Sequence, residues 1–314
     1  MPEYKSIKGL TIQEVASDPP APIEGQVWYN TTTSALKGYI NNPGSWATAN
    51  DVNTGRYSMM GTGTQTAGLI AGGLGAPTGQ TETYNGTSWT EVNDMNTTRY
   101  NMGGDGTQTD TLFFGGQTPP TVALTESWNG TNWTEVNDLN TAKYHLAGAG
   151  NSTAALAFGG FFPLLAETET WNGTNWTEVN NLNTARAYVR GCGTNTAALA
   201  VGGNEPPTER ATESWNGTNW TTVGSLNSPG SRHRATAGTQ TAALAMGGRP
   251  GGSRSTESWN GTSWTVENDL NDVKTLHGGD GSSTSAFVAA GDESPFTSTE
   301  EWDAGISTKT FSTG

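Results

Sequence analysis

The residues of this 314-residue chain best placed to do chemistry are charged, and they recur at a fixed interval. Arg56, Arg99, Lys143, Arg186 and Lys274 each follow an apolar residue by four positions, at Val52, Met95, Leu139, Leu182 and Leu270. One further copy has Gly230 there, with Arg232, His233 and Arg234 close by. Glu82, Glu126, Glu169, Glu213, Glu257 and Glu300 recur in the same rhythm. A ring of exposed cations would hold an anion, such as an acidic sugar. The glutamates suggest another use. Each stands two residues before an aromatic position, so in a strand both point to one face, toward a neighbouring sheet. The two series would then meet as ion pairs between repeats. We expect the pairs, because a residue present in every copy serves the copy rather than a single site.

Other chemistry fares worse. His145, His233 and His277 occupy different offsets in their repeats, so nothing in the spacing brings them together as metal ligands. Cys192 is the single cysteine, in a Gly-Cys-Gly stretch, which allows neither an internal disulfide nor a cysteine cluster. No isolated carboxylate pair breaks the repeat as the two acids of a glycosidase would. Asn93-Asp94 and Asn137-Asp138 could bind Ca²⁺ weakly, but turn formers of this kind need no metal. The N-x-T triplets at Asn129, Asn132, Asn172 and Asn175 are likewise accounted for by turns. The expectation is a protein without catalytic residues, metal or cofactor, and not an enzyme.

Composition narrows the class. The chain holds 43 Gly and 12 Trp, is 14% charged, and carries a formal charge of -14. Scarce large aliphatics with net charge ordinarily read as disorder. So many tryptophans with so few charges point instead to an ordered fold of aromatics, small residues and turns. The acidic balance argues against nucleic-acid phosphates, which need a basic face. No apolar run approaches the roughly 20 residues of a membrane helix, so no membrane insertion is expected. The opening MPEYKSIKGLTIQEVASDPPAP lacks the apolar centre of a signal peptide.

The elements that position these residues come from an internal repeat. Tyr84, Trp128, Trp171, Trp215, Trp259 and Trp302 are spaced 43 or 44 residues apart. A second aromatic follows each of the first five by five residues, at Trp89, Trp133, Trp176, Trp220 and Trp264, and Trp46 extends this series backward. Between them an apolar run ends in a glycine pair at 72–73, 115–116, 159–160, 202–203 and 247–248, with Ala290-Gly291 as a sixth copy. Short apolar runs between turn residues read as strands. One copy predicts strands at Ala187–Gly191, Ala197–Val201, Ala211–Trp215 and Trp220–Val223. The last two should join through Asn216-Gly217 as a type I′ turn with positive φ at both positions. Four antiparallel strands per repeat describe a propeller blade.

On the glycine pair, the two aromatics and the basic residue after the fourth strand, the chain resembles kelch-repeat propellers from about Trp46 to Trp302. That resemblance implies an all-β, six-bladed kelch-like propeller and says almost nothing of function. The expected organisation is an extended arm over 1–24, a hairpin over 25–45, the propeller over 46–302, and a tail over 303–314. Pro19, Pro20 and Pro22 suggest the extended arm. Gln26–Asn30 and Ala35–Ile40 read as the hairpin around Thr31–Ser34. The strand at Trp46 should complete the last blade and remove two open edges. Alternatively Ile306–Phe311 supplies the closing strand.

The stretch GLTIQEVASDPPAPIEGQVWYNTTTSALKGY is similar to segments of tailed-phage virion proteins, and the repeat is similar to kelch-like repeats of phage fibre or surface proteins. The resemblance implies a virion component: a tail fibre, receptor-binding protein or capsid decoration. It would dock to other virion proteins through residues 1–45, as a homo-oligomer on the particle. The alternatives are a cytoplasmic kelch scaffold for a protein partner and a carbohydrate-active enzyme.

Recognition should sit on the loops between second and third strands, which alone vary strongly between repeats. A host-surface glycan or protein would then meet Phe161, Phe162, Leu164, Leu165, Glu205, Arg210, Arg249, Arg254 and Phe296. Phe161, Phe162, Leu164 and Leu165 around Pro163 should form a solvent-facing apolar patch of the kind that marks interfaces.

Overall fold

The computed structural model describes residues 12–19, 26–41, 44–75, 79–204, 210–228, 234–249 and 253–311. All regular structure among them is β-strand. Six four-stranded antiparallel sheets follow one another along the chain. The first holds Met60–Thr64, Ala67–Ala71, Thr81–Tyr84 and Trp89–Val92. Four more begin at Gly103, Ala147, Arg190 and Ala235. The sixth holds Gly278–Gly281, Ser285–Ala289 and Thr299–Asp303, and its fourth strand is Ser45–Ala49.

These sheets form by hairpins. In each loop between third and fourth strands an Asn side chain accepts backbone N–H groups two and three residues ahead, as Asn85 does from Thr87 and Ser88 at 2.9 and 2.8 Å. The expected two-residue type I′ turn is not what forms. Tyr84 pairs with Trp89 across a four-residue loop, and only the glycine takes positive φ, 84° at Gly86. The Asn side chain supplies the turn bonds itself, so its own backbone need not enter the left-handed region. A second difference is the start of the first strand. The expected Ala187–Gly191 begins instead at Arg190, because Tyr188 adopts φ 58° and breaks the extended run.

The first strand of each sheet contacts the first strands of the two flanking sheets, and the strand at Gly278 contacts the one at Met60. The inner strands therefore form a closed cycle, an arrangement consistent with a β-propeller. Their approach is close enough to demand glycine. A Cβ on Gly61 would lie 2.5 Å from Gly279 N, and one on Gly191 would lie 2.5 Å from Gly148 O.

The tryptophans hold adjacent sheets together. Within each sheet the two aromatics pack at ring-centroid distances of 4.9 to 5.4 Å. Each fourth-strand indole also reaches the preceding sheet. Trp89, Trp133, Trp176, Trp220, Trp264 and Trp46 donate Nε1 to Oγ1 of Thr299, Thr81, Thr125, Thr168, Thr212 and Thr256, at 2.9 to 3.1 Å. These bonds also close a cycle of six. Each buried N–H that they satisfy would otherwise cost about 1–3 kcal/mol.

The chain divides into two compact units, Ser45–Trp302 and the two terminal stretches Met1–Gly44 with Asp303–Gly314. The terminal unit has its own sheet. Gln13–Val15 runs parallel to Val27–Asn30, which pairs antiparallel with Ala35–Asn41, and Ile306–Phe311 pairs antiparallel with the latter. The stretch expected as a tail thus carries a strand, and that strand belongs to this sheet. Trp28, the tryptophan outside the repeat, is fully buried here, and its Nε1 donates to Asp18 at 3.0 Å. Asp18 also accepts from Lys37 and Asn30, and these donors, Lys37 foremost, draw its carboxyl down to about 2. Of the expected arm, residues 1–11 and 20–24 lie outside the described residues.

Candidate recognition face

The two charged series meet at the entry to each sheet, the cation just before a sheet's first strand and the glutamate on that same sheet's third strand. Arg56–Glu82, Arg99–Glu126, Lys143–Glu169 and Arg186–Glu213 lie at 2.7, 2.9, 2.8 and 3.0 Å. All eight side chains are essentially buried. Each cation precedes the first strand of its own sheet and ties two sheets at once. The Arg99 backbone carbonyl accepts from Gly73 N of the sheet before at 2.9 Å. Its guanidinium bonds Glu126, Gly115 O and Leu124 O of its own sheet. Burial lowers the affinity of Arg56 and Arg99 for their protons, and the paired glutamates oppose that shift.

Two copies depart from the rule. In the fifth, Arg234 takes the cation's place at 3.8 Å from Glu257, and Arg232 and His233 lie outside the described residues. In the sixth, Lys274 makes no direct pair with Glu300, contrary to expectation. It donates to the carbonyls of Ala290 and Ser298 at 3.2 and 2.7 Å. Glu300 is held instead by the amides of Asn271 and Asp272 at 2.7 and 2.9 Å. Without a direct carboxylate partner, burial pulls the Lys274 ammonium down to about 8.

A periodic partner escaped the sequence reading. Asn53, Asn96, Asn140, Asn183, Asn227 and Asn271 each give their backbone N–H to the copy's glutamate at 2.7 or 2.8 Å. The signal was present in the recurrent N-T-x-R/K spelling at 53–56, 96–99, 140–143 and 183–186.

The loops between second and third strands share one face with the connections between sheets. Tyr57 bridges Leu74, Tyr100 bridges Gln117, Tyr144 bridges Phe161, and Ala187 bridges Asn204. Along this face the connections are joined by a run of amide bonds among the described residues. Ser58, Asn101, His145, Tyr188 and Leu276 all hold left-handed φ between 52° and 60°. Ser58 N donates to Leu276 O, Asn101 N to Ser58 O, His145 N to Asn101 O, and Tyr188 N to His145 O, at 2.7 to 2.9 Å. Backbone strain at non-glycine residues persists only where the surroundings fix it. Here the inter-sheet amide bonds do so, and they carry five unlike side chains.

Part of this face is aromatic. Tyr188 and His145 rings lie 3.9 Å apart, His145 and Tyr144 4.9 Å, and Tyr144 meets Phe161 edge-on at 5.5 Å. The Tyr144 phenol is shifted upward by burial and by the nearby Tyr188 and Tyr100. Asn101 Nδ2 donates to Gln117 Oε1 at 3.1 Å. Beside them is a recess of about 460 Å³ lined by Gln117, Pro120, Thr121, Ala142, Tyr144 and Phe162.

The expected rim residues that the structure describes lie on several separate loops. The apolar patch at 161–165 is corrected. Phe162 alone of its four apolar residues is exposed, at 70%, whereas Leu165 is buried and Phe161 and Leu164 are half-buried. Phe161 turns in because it bridges Tyr144, and Leu165 because its amide bonds Gly160 O. Phe296 is exposed. Arg210 and Arg254 are exposed and donate to the carbonyls of Asn227 and Asn271. Arg249 pairs with Asp292. Glu205 lies outside the described residues.

A carboxylate pair does break the repeat, against expectation. Asp105 and Asp280 hold the inner-strand position filled elsewhere by Thr62, Ala149, Cys192 and Ala237. Asp105 accepts from Gly106 N and Gly150 N at 2.7 and 3.0 Å, and Asp280 from Gly63 N at 2.9 Å. Burial raises Asp105 to about 7, and burial with the Asp105 charge raises Asp280 well above its ordinary value. Both line the central opening with Arg190, whose Nε donates to Arg234 O and whose Nη1 lies 3.5 Å from Met60 Sδ. The signal was the GGDG written at 103–106 and again at 278–281.

Among the described residues no group of three or more His, Cys, Asp or Glu is placed to hold a metal ion. No helix among them is long and apolar enough to cross a membrane. No protein-family model matches the chain, and no curated protein matches it.

Proposed function

We propose that the chain is a six-bladed kelch-like propeller acting as a non-enzymatic recognition protein of a phage particle, with the face of loops and inter-sheet connections turned to a host glycan or a protein. The observation that carries the binding role is a contrast within one molecule. The seams repeat the same Glu, Asn and Trp bonds from sheet to sheet, while one face presents unlike side chains on strained, amide-linked connections. Rigid scaffolds with divergent loops are built for recognition. The phage assignment rests on the wording of residues 9–39 and of the repeat. Residues 1–45 would engage other virion proteins, with several copies on the particle.

Asp105 and Asp280 fit this reading as rungs of the inner seam, because amides of the following sheet occupy their oxygens. The test pairs two measurements on the full chain and on a chain lacking residues 1–40. Particle incorporation should be lost in the shortened chain while the propeller stays folded. Binding on a glycan array should persist in both and fall in variants of the exposed loops. Binding that survives every loop substitution would refute the assignment of the face.

A further inference from the structure

We infer that the recess bounded by Gln117, Tyr144 and Phe162 is a subsite for an uncharged saccharide ring. The inference rests on the recognition role proposed above and gives it a place and a ligand class. Its first support is Phe162. The ring is 70% exposed, and its backbone is held at φ 108°, deep in the region that side chains avoid. Here that conformation turns an aromatic ring to solvent beside a cavity. A backbone outlier of this kind is a pointer to function.

The second support is the lining. Pro120, Ala142 and Phe162 give apolar surface, and Gln117, Thr121 and Tyr144 give polar groups. None is charged, in a chain of net charge -14. Amide and hydroxyl groups both donate and accept without charge, and the hydroxyls of a neutral sugar ask for that. The axial C–H groups of a pyranose give it an apolar face that lies flat on an aromatic ring. Phe162 and Tyr144 supply two such rings at the wall. Gln117 is oriented in advance, its oxygen held by Asn101, which leaves Nε2 to donate elsewhere. Tyr144 is braced by Phe161 on one side and His145 on the other.

The third support is size. About 460 Å³ falls within the range of small-ligand sites. A protein partner would ask for roughly 800 Å² on this side, and the neighbouring Phe161, Leu164 and Leu165 are turned inward rather than adding to the apolar surface.

The experiment uses the full chain and saturation-transfer NMR. The neutral probes are methyl glucoside, methyl galactoside, N-acetylglucosamine, maltose and lactose, with sialic acid and glucuronic acid as charged controls. At least one neutral probe should bind. Phe162→Ser and Gln117→Ala should weaken that probe by about tenfold or more, and Phe162→Ser should do so with unchanged melting temperature because Phe162 is exposed. Phe162→Trp should keep binding, and Val266→Ser, which changes an exposed apolar side chain on a fourth strand away from these loops, should bind as wild type. Binding of charged probes alone, or of none, overturns the inference. Neutral binding that ignores Phe162 and Gln117 overturns this subsite while leaving a recognition face elsewhere. Loss of a captured protein partner in Phe162→Ser without any saccharide binding overturns the ligand class and keeps the face.

Discussion

The indole Nε1 of Trp46 donates to Thr256 Oγ1 at 2.9 Å across 210 residues of chain. It is one of six equivalent bonds, and the one that joins a strand from before the first repeat to the fifth sheet. Thr256→Val removes the acceptor without changing shape and leaves a buried N–H unpaired. We expect a loss of about 1–3 kcal/mol in urea unfolding. Thr125→Val, which strips the acceptor from Trp176 between two interior sheets, should cost a similar amount. A much larger loss at Thr256 would show that closure of the cycle contributes cooperatively, and no loss at either would show that these bonds stabilise nothing.

The Arg99–Glu126 pair should behave as a buried ion pair. Arg99→Met leaves Glu126 charged and enclosed, and should cost about 3–5 kcal/mol. Replacing Glu126 by Met as well removes the stranded charge, so the double variant should recover part of the loss. Denaturant titration of the two singles and the double measures the coupling. If the double variant loses the sum of both singles, the carboxylate and guanidinium act independently and the clamp is misread.

Much of this frame was legible in the sequence because its interactions are periodic. The paired aromatics give the interval, and the co-periodic Glu and Arg/Lys series announce their meeting. What periodicity hides is of two kinds. Asn96 and Asn140, ligands of the glutamate, sit beside the Asn-Asp pairs that already account for the turn, so nothing in the turn pattern marks them. Residues that depart from the repeat carry no rhythm at all. Asp105 and Asp280 occupy a position shared with Thr, Ala and Cys, so nothing but the twice-written GGDG marks them. The left-handed residues Ser58, Asn101, His145, Tyr188 and Leu276 have no common side chain because amide bonds between connections, not residue type, set their φ. For the same reason the first strand at Arg190 starts later than its apolar run suggests. Phe161 to Leu165 reads as a uniform apolar patch, and only the fold sorts it into one exposed ring and three enclosed or partly enclosed groups.

Lys274 predicts an alkaline dependence. Its proton affinity is lowered in the fold to about 8 by burial, against an ordinary 10.5. Between those values the unfolded chain binds a proton that the folded chain does not. Stability should therefore rise with pH from about 8 toward 10.5, and the cost of holding the ammonium is fully present below 8. Lys274→Met should abolish that rise, whatever its effect at neutral pH. Thermal melts of both proteins over this window check it, and an unchanged slope in the variant would assign the rise to another group.

Asp105 predicts the opposite slope on the acid side. Its carboxyl is raised from 3.8 to about 7, chiefly by burial and against the pull of two amides. Between those values the folded chain holds a proton that the unfolded chain has released. Its contribution is fully present below about 3.8 and is lost as pH rises through 7. Asp280 shifts in the same direction and adds to the effect, since the Asp105 charge is among its causes. Asp105→Asn removes one titrating group and relieves the other of a like charge. The fall in stability between pH 4 and 7 should then become shallower by more than one group's share. The measurement is urea unfolding at half-unit steps of pH for wild type, Asp105→Asn and Asp280→Asn. Parallel curves for all three would mean that both carboxyls are ionised in the folded protein across this range, with the amides of Gly106, Gly150 and Gly63 sufficient to hold the charge.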